Sequence, residues 1–273
     1  QLDPEFVMSY KGKKVPWGFG TLSYIIYKRT YAREMQESFV AKYAPDMASS
    51  SLEEWYLTVA RVVNGAQKIG AAYTREEMEE YYDHIFNLRC SPAGRMLWQL
   101  GTPTVDKFGM NSLLNCWFAV LNKITSFCFL FENLMLGGGV GFSVKKEHVH
   151  ELPKVKPGVV VTHEKTNDAD FIVPDSRGGW VELLRKVLEA FLVNGKGFSY
   201  STVLVRGKGE KIKGFGGTAS GPSILVEGME KICQVLSARA GKKLRSVDVL
   251  DIANIIGSIV VAGNVRRSAE IAI

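Results

Sequence analysis

An α/β protein is predicted, and three observations predict it. The first ninety residues carry helical apolar stripes with capping signals, and residues 114–144 run strand, helix, strand. The last sixty residues hold two long apolar helices with start and stop signals, then an alternating strand.

In order along the chain, "QLDPEF" lacks the apolar core of a signal peptide, so residues 1–7 are expected to be an appended leader before Met8. A basic, aromatic stretch follows, and Ser51 with Glu54 then spells a capping box ahead of the stripe Trp55, Val59, Val62 and Val63. Thr74 with Glu77 repeats the device, which makes 8–90 a mainly helical region. From 91 the character changes. "SPAGRMLWQLGT" is a turn-rich entry, and "NSLLNCWFAVL" (111–121) has the pattern of a buried strand. "TSFCFLFENLMLGGGVGFSV" reads as a helix stopped by glycines and followed by a short strand, so that a parallel βαβ unit is expected. Residues 145–213 are polar and mixed, and have the look of an insertion. They include strand-like "PGVVVT" and "YSTVLVRG", and a helix that Asp175 could cap. Pro222 suits the first turn of the next helix, which Gly241 stops. Ser246 is the expected cap of "VDVLDIANIIGSIVVAG", which stops at Gly263, and "SAEIAI" alternates as a strand.

Composition narrows the function classes. Apolar residues at 46% and charged ones at 23% are ordinary for a soluble globular domain. The net charge of +6 suits an anionic ligand, but the basic residues are dispersed and form no nucleic-acid stripe. No apolar run approaches the ~20 residues that cross a bilayer. Four widely spaced cysteines without a CxxC fit a reducing, cytoplasmic setting. His148 and His150 could be same-face strand neighbours but lack further ligands, so no metal site is expected.

Taken alone, Cys116 is a small hydrophobe in a strand. Cys128 and Cys233 lie on apolar helical faces and are assigned to the core, and nothing decides the role of Cys90. "GGGVGFS" could cradle phosphate, yet it has no Walker lysine and no GxGxxG spacing; a helix C-cap with tight packing explains it equally well. "GFGGTASGP" is better placed, because its backbone donors precede a helix N-terminus. "GNVRRS" sets two arginine forks beside a glycine hinge, suited to phosphate or a base, or simply a solvated basic turn.

Together and in order, "YKRTYAR" (27–33), "SPAGRMLWQLGT" (91–102), "LNCWF" (114–118), "LMLGGGVGFSV" (134–144), "GFGGTASGP" (214–222) and "VDVLDIANIIGSIVVAGNVRRSAEIAI" resemble the adenosylcobalamin-dependent, class II ribonucleotide reductases. The resemblance is nearest to the monomeric ribonucleoside-triphosphate reductase type and runs from about Trp17 to Ile273. It implies that 91–273 is the first part of a ten-stranded α/β barrel, incomplete in this chain, with an effector-site-like insertion at about 145–213. It also implies thiyl-radical chemistry initiated by adenosylcobalamin, whose binding residues cannot be picked out here. Cys116 then matches one member of the cysteine pair that reduces C2′ of a ribonucleotide, Ser91 a substrate-phosphate contact, and Gly138 and Gly139 a turn against the substrate. Gly216, Gly217, Thr218, Ala219 and Ser220 match the first specificity loop, and Gly263, Asn264, Arg266 and Arg267 the second. In the family these loops let a deoxynucleotide effector select the substrate.

The family's "NPCGE"-like finger loop, with its radical cysteine, is absent, as is the second reducing cysteine. The chain is accordingly expected to be inactive alone. Its expected partners are a second polypeptide carrying the rest of the barrel and a dithiol reductant. The alternative is a non-catalytic nucleotide-binding regulatory or assembly subunit derived from a reductase. Such a subunit would have no need of the cysteine in "LNCWF".

Overall fold

A computed structural model of the protein describes residues 1–48, 51–210, 218–261 and 268–273, which form two compact units, Gln1–Leu114 and Asn115–Ile273.

The first unit is helical: α1 (Pro4–Met8), α2 (Thr21–Thr30), α3 (Glu37–Tyr43), α4 (Trp55–Lys68), α5 (Arg75–Phe86), α6 (Gly94–Gln99) and α7 (Pro103–Phe108). The opening residues pack as part of it. Leu2 and Val7 are fully buried, and the Leu2 carbonyl accepts from the Tyr43 hydroxyl at 2.9 Å. The box at α5 forms as expected, with Glu77 N–H donating to Thr74 Oγ1 (3.2 Å) and Thr74 N–H to Glu77 Oε2 (2.8 Å). The box expected at Ser51 does not form. Leu52 bridges antiparallel to Glu34, so the chain is extended there and α4 starts at Trp55 with Glu54 at its cap. Glu54 instead pairs with Lys28 at 2.7 Å. The predicted stripe of α4 is wholly buried.

A buried ion pair ties this unit together. Arg61 Nε donates to Glu53 Oε1 at 2.6 Å and Nη2 to Oε2 at 3.1 Å. The same guanidinium serves the Leu97 and Leu100 carbonyls, which α6 leaves unsatisfied at its C-terminal end.

Among its described residues the second unit holds two parallel three-stranded sheets. One is ordered β1 (Cys116–Val120), β2 (Gly139–Ser143), β6 (Ala269–Ala272), and the other β3 (Val161–Glu164), β5 (Phe198–Ser201), β4 (Phe171–Ile172). Helix α8 (Ile124–Met135) connects β1 to β2, as the sequence predicts for a βαβ unit. Helices α10 (Arg177–Glu189), α11 (Ser223–Ser237) and α12 (Ser246–Val261) supply most of the remaining core, with Leu184, Ile232 and Ile256 fully buried. Three local expectations shift. Ser176 caps α10, accepting from Gly179 N–H at 3.0 Å, while Asp175 pairs with Arg206. Ser246 lies inside α12, and Asp248 accepts the Arg245 N–H at 2.7 Å. His148 lies on the short helix α9 (Lys146–Val149), not on a strand, with its Nδ1 2.9 Å from Ser143 Oγ. No described helix is long and apolar enough to cross a membrane.

Candidate active site

The pleat of the first sheet sorts its residues by face. Cys116 is in register with Gly139 and Ala269, and Phe118 with Gly141 and Ile271. Trp117 is in register with Val140 and Glu270 on the opposite face, where Val140 and Phe142 are buried in the core. The strand expected to be buried is therefore half open. Cys116 is exposed, and so are Phe118 and Ile271 on the same face. Nothing among the described residues covers this face, and its central strand offers two glycines in place of side chains.

The glycine run now has separate explanations for its members. Gly137 takes φ +73° and donates to the Leu134 carbonyl at 2.8 Å, and Gly138 N–H donates to the Asn133 carbonyl at 3.2 Å. Those two bonds are a Schellman stop for α8. Gly138 is also sterically demanded, since a Cβ there would lie 1.7 Å from Trp117 Cζ3. Gly139 is different. Its N–H donates to the Asn115 carbonyl at 2.8 Å, and a Cβ would sit 4.0 Å from Cys116 Sγ, in ordinary contact. The absent side chain at Gly139 thus leaves the space beside the thiol open.

These contacts predict opposite phenotypes for neighbouring substitutions. Gly138→Ala should cost about 1–3 kcal/mol or more, because the Trp117 ring must move. Gly139→Ala should melt within about 0.5 kcal/mol of wild type while placing a methyl group against the sulfur. Thermal melts of both variants check the contrast, and equal destabilisation would refute it.

The other cysteines divide by burial. Burial pushes the Cys128 thiol up to about 11 and the Cys233 thiol to about 12, and both pack in or against the core, as expected. Such thiols are poor nucleophiles. Cys90 is exposed in the first unit. Ser91, beside it, is exposed too, and its hydroxyl donates to the Pro92 carbonyl at 2.9 Å ahead of α6. Among the described residues no cluster of histidine, cysteine and carboxylate groups could hold a metal ion.

Of the loop residues, Thr218, Ala219 and Ser220 are described. Ala219 exchanges backbone bonds with Gly209 (2.9 Å) and Glu210 (2.8 Å), and the segment leads into α11, whose first turn receives no side-chain cap. Gly216, Gly217, Gly263, Asn264, Arg266 and Arg267 lie outside the described residues.

One polar residue escapes sequence reasoning. Glu270 turns to the helix side of the sheet, its Oε1 buried without a hydrogen-bond partner among the described residues, and burial pushes its carboxyl up to about 7. A folded-state value above that of the unfolded chain means that the fold prefers the protonated acid. Stability should therefore be greatest below the ordinary carboxylate range and fall as pH rises to about 7. Glu270→Gln should flatten that fall, as melts between pH 5 and 8 would show; an unchanged slope would dismiss the assignment.

The chain is similar to known proteins over its whole length. The Ribonucleotide reductase alpha domain family matches residues 2–102, and the B12-dependent ribonucleotide reductase, insertion domain family matches 145–236. A probable adenosylcobalamin-dependent ribonucleoside-triphosphate reductase of Dictyostelium discoideum is 35% identical, covering 100% of this chain and 38% of that protein. The adenosylcobalamin-dependent ribonucleoside-triphosphate reductases of Euglena gracilis and Lactobacillus leichmannii are 36% and 35% identical, over 99% and 100% of this chain and 37% and 43% of theirs. A crystal structure of a B12-dependent (class II) ribonucleotide reductase superposes with a TM-score of 0.80 at 30% identity, covering 100% of this chain and 44% of that one. The chain thus spans less than half the length of these relatives. Its mixed helices and strands match the N-terminal part of their structure, consistent with an incomplete barrel. With two successive domains matched and the whole chain aligned, the protein belongs to the adenosylcobalamin-dependent, class II ribonucleotide reductases, of which it carries the N-terminal part.

Proposed function

We propose that the chain is the N-terminal part of a ribonucleoside-triphosphate reductase and supplies one thiol of its reducing pair. The observation that carries this is Cys116, exposed at the start of an edge strand and opposite a glycine, on a face that no side chain covers among the described residues. A regulatory subunit would have no use for a thiol displayed in this way.

Adenosylcobalamin, when bound, supplies the radical that starts the reaction. We assign radical initiation, together with the radical cysteine and the second reducing cysteine, to the remainder of the catalytic unit. The task of this chain is to orient the substrate and reduce it. The Cys116 thiol gives a proton to the 2′-hydroxyl, which leaves as water. The two reducing thiols together surrender two electrons and two protons, C2′ gains a hydrogen, and the sulfurs close as a disulfide. An external dithiol reopens that disulfide by exchange. Edge position, a fixed strand and open space beside the sulfur all serve such a step.

Residues 91–273 then form the first part of the barrel, with 145–213 as the inserted effector-site segment. Ser91 contacts substrate phosphate, Gly138 and Gly139 line the substrate, and Thr218, Ala219 and Ser220 with Gly216 and Gly217 form the first specificity loop. Gly263, Asn264, Arg266 and Arg267 belong to the second, where a deoxynucleotide effector acts. The test is to combine this chain with a polypeptide carrying the remainder of the reductase and assay adenosylcobalamin-dependent deoxynucleotide formation. Turnover only in the mixture is expected. Turnover by this chain alone, or none in a mixture shown to associate, overturns the proposal.

A further inference from the structure

Helix α2 is held to the first unit along one line and is bare along the opposite one. Tyr27 is the anchor. Its hydroxyl donates to the Glu53 carbonyl at 2.9 Å, and its ring stacks on Trp17 and meets Trp55 edge-on, with centroids 5.7 and 5.2 Å away. At about 100° per residue, the positions opposite Tyr27 are Leu22, Ile25, Ile26 and Arg29. That is the i, i+3, i+4, i+7 spacing of a helix that buries a stripe. Yet Leu22, Ile25 and Ile26 are 58%, 53% and 48% exposed. Phe19 extends the stripe: its N–H donates to Ser23 Oγ at 3.2 Å, while its side chain is 83% exposed. Scattered exposed apolar residues are ordinary, but an aligned row of them marks an interaction surface. Helix formation does not call for the isoleucines, since serine is about as good a helix former.

The charge around this face is one-sided. From Phe6 to Arg33 the chain carries Lys11, Lys13, Lys14, Lys28, Arg29 and Arg33 and no carboxylate. Arg29 stands in the stripe itself, exposed, and makes no ion pair among the described residues. A second copy laid on the same face would offer Arg29 no carboxylate from this stretch. The relatives point to another occupant. This chain covers 37% to 44% of their length and matches their N-terminal part, so more than half of a reductase lies outside it.

We propose that the Leu22, Ile25, Ile26 and Arg29 face of α2, extended by Phe19, is the ridge by which this chain docks onto the remainder of the reductase, in an apolar groove whose rim presents a carboxylate to Arg29. The inference rests on the reading of the chain as the N-terminal part of a ribonucleoside-triphosphate reductase, and adds the surface through which the two parts join. It is a helix-in-groove contact. The apolar anchors supply affinity, and the charge pair supplies register and speed of encounter.

The experiment titrates the full chain with the purified polypeptide carrying the remainder of the reductase, with turnover assayed in parallel. Leu22→Gln combined with Ile25→Ser removes two anchors at nearly constant helix propensity, and should weaken association by about thirtyfold or more, the scale of interface hot spots. Thermal melts of the free double variant should coincide with wild type, because both side chains are exposed. Arg29→Gln should slow association and flatten its salt dependence, with little change in dissociation. Amide exchange across 19–30 should slow when the wild-type chain is mixed with the remainder, and should not slow for the double variant. Affinity of the double variant within twofold of wild type, or unaltered exchange across 19–30 in the complex, overturns the proposal. So does self-association of this chain, or binding to phosphatidylserine vesicles, that the double substitution abolishes while binding to the remainder persists. A wild-type chain that binds the remainder through this face without turnover overturns the reductase reading and leaves the docking face standing. Absence of any binding overturns both.

Discussion

Cys116→Ser is expected to reduce steady-state deoxynucleotide formation by the complete enzyme by about 10³-fold or more, the scale for removing an essential member of a catalytic unit. The substitution is nearly isosteric at an exposed strand position, so stability should change by no more than about 0.5 kcal/mol. The loss is then chemical rather than structural. A serine hydroxyl cannot join a disulfide, and its proton is held far more tightly than that of a thiol. The two electrons required at C2′ therefore have no route from this position. Melting curves and steady-state rates measured on the same preparation separate the two effects. A steady-state rate within twofold of wild type, with the dithiol reductant present, would remove Cys116 from the reducing pair.

The same strand shows what the sequence could and could not reveal. Its continuous apolar run is the signature of a strand covered on both faces, and α8 following it announced the parallel unit that the structure contains. Yet Phe118 and Ile271 lie exposed on the Cys116 face among the described residues. Apolar character alone cannot distinguish a face already packed from one awaiting a partner. Glu270 was hidden for a related reason. An acidic residue in an alternating strand is ordinarily the solvated position, and only the register with Trp117 and Val140 turns it to the helix side. The failed box at Ser51 was overridden by a tertiary bridge to Glu34 that no local pattern encodes. Capping signals without such competition, as at Thr74, held. The candidate site comes from motif order, which names Cys116 and the glycines, whereas the separate packing duties of Gly137, Gly138 and Gly139 required coordinates.

Arg61→Met should be the most destabilising single change in the helical unit, costing about 3–5 kcal/mol as expected for breaking a buried ion pair from one side. For a chain of this size that is on the order of 10 °C in Tm. Methionine fills much of the space but serves none of the partners. Glu53, also held by Thr58 Oγ1 at 2.7 Å and by the Arg33 N–H at 3.3 Å, loses its bidentate guanidinium partner in a buried site, with Arg33 the cation left near it. The Leu97 and Leu100 carbonyls lose their donors, and water cannot readily replace them, because Gly101 abuts α4 so closely that a Cβ on it would lie 2.5 Å from the Arg61 carbonyl. Because the penalty lies largely in the stranded charge, adding Glu53→Gln to Arg61→Met should recover part of it, and a double-mutant cycle isolates that share. A double variant no more stable than Arg61→Met alone would shift the cost to the carbonyls. A single variant within about 1 kcal/mol of wild type would show that the pair is dispensable.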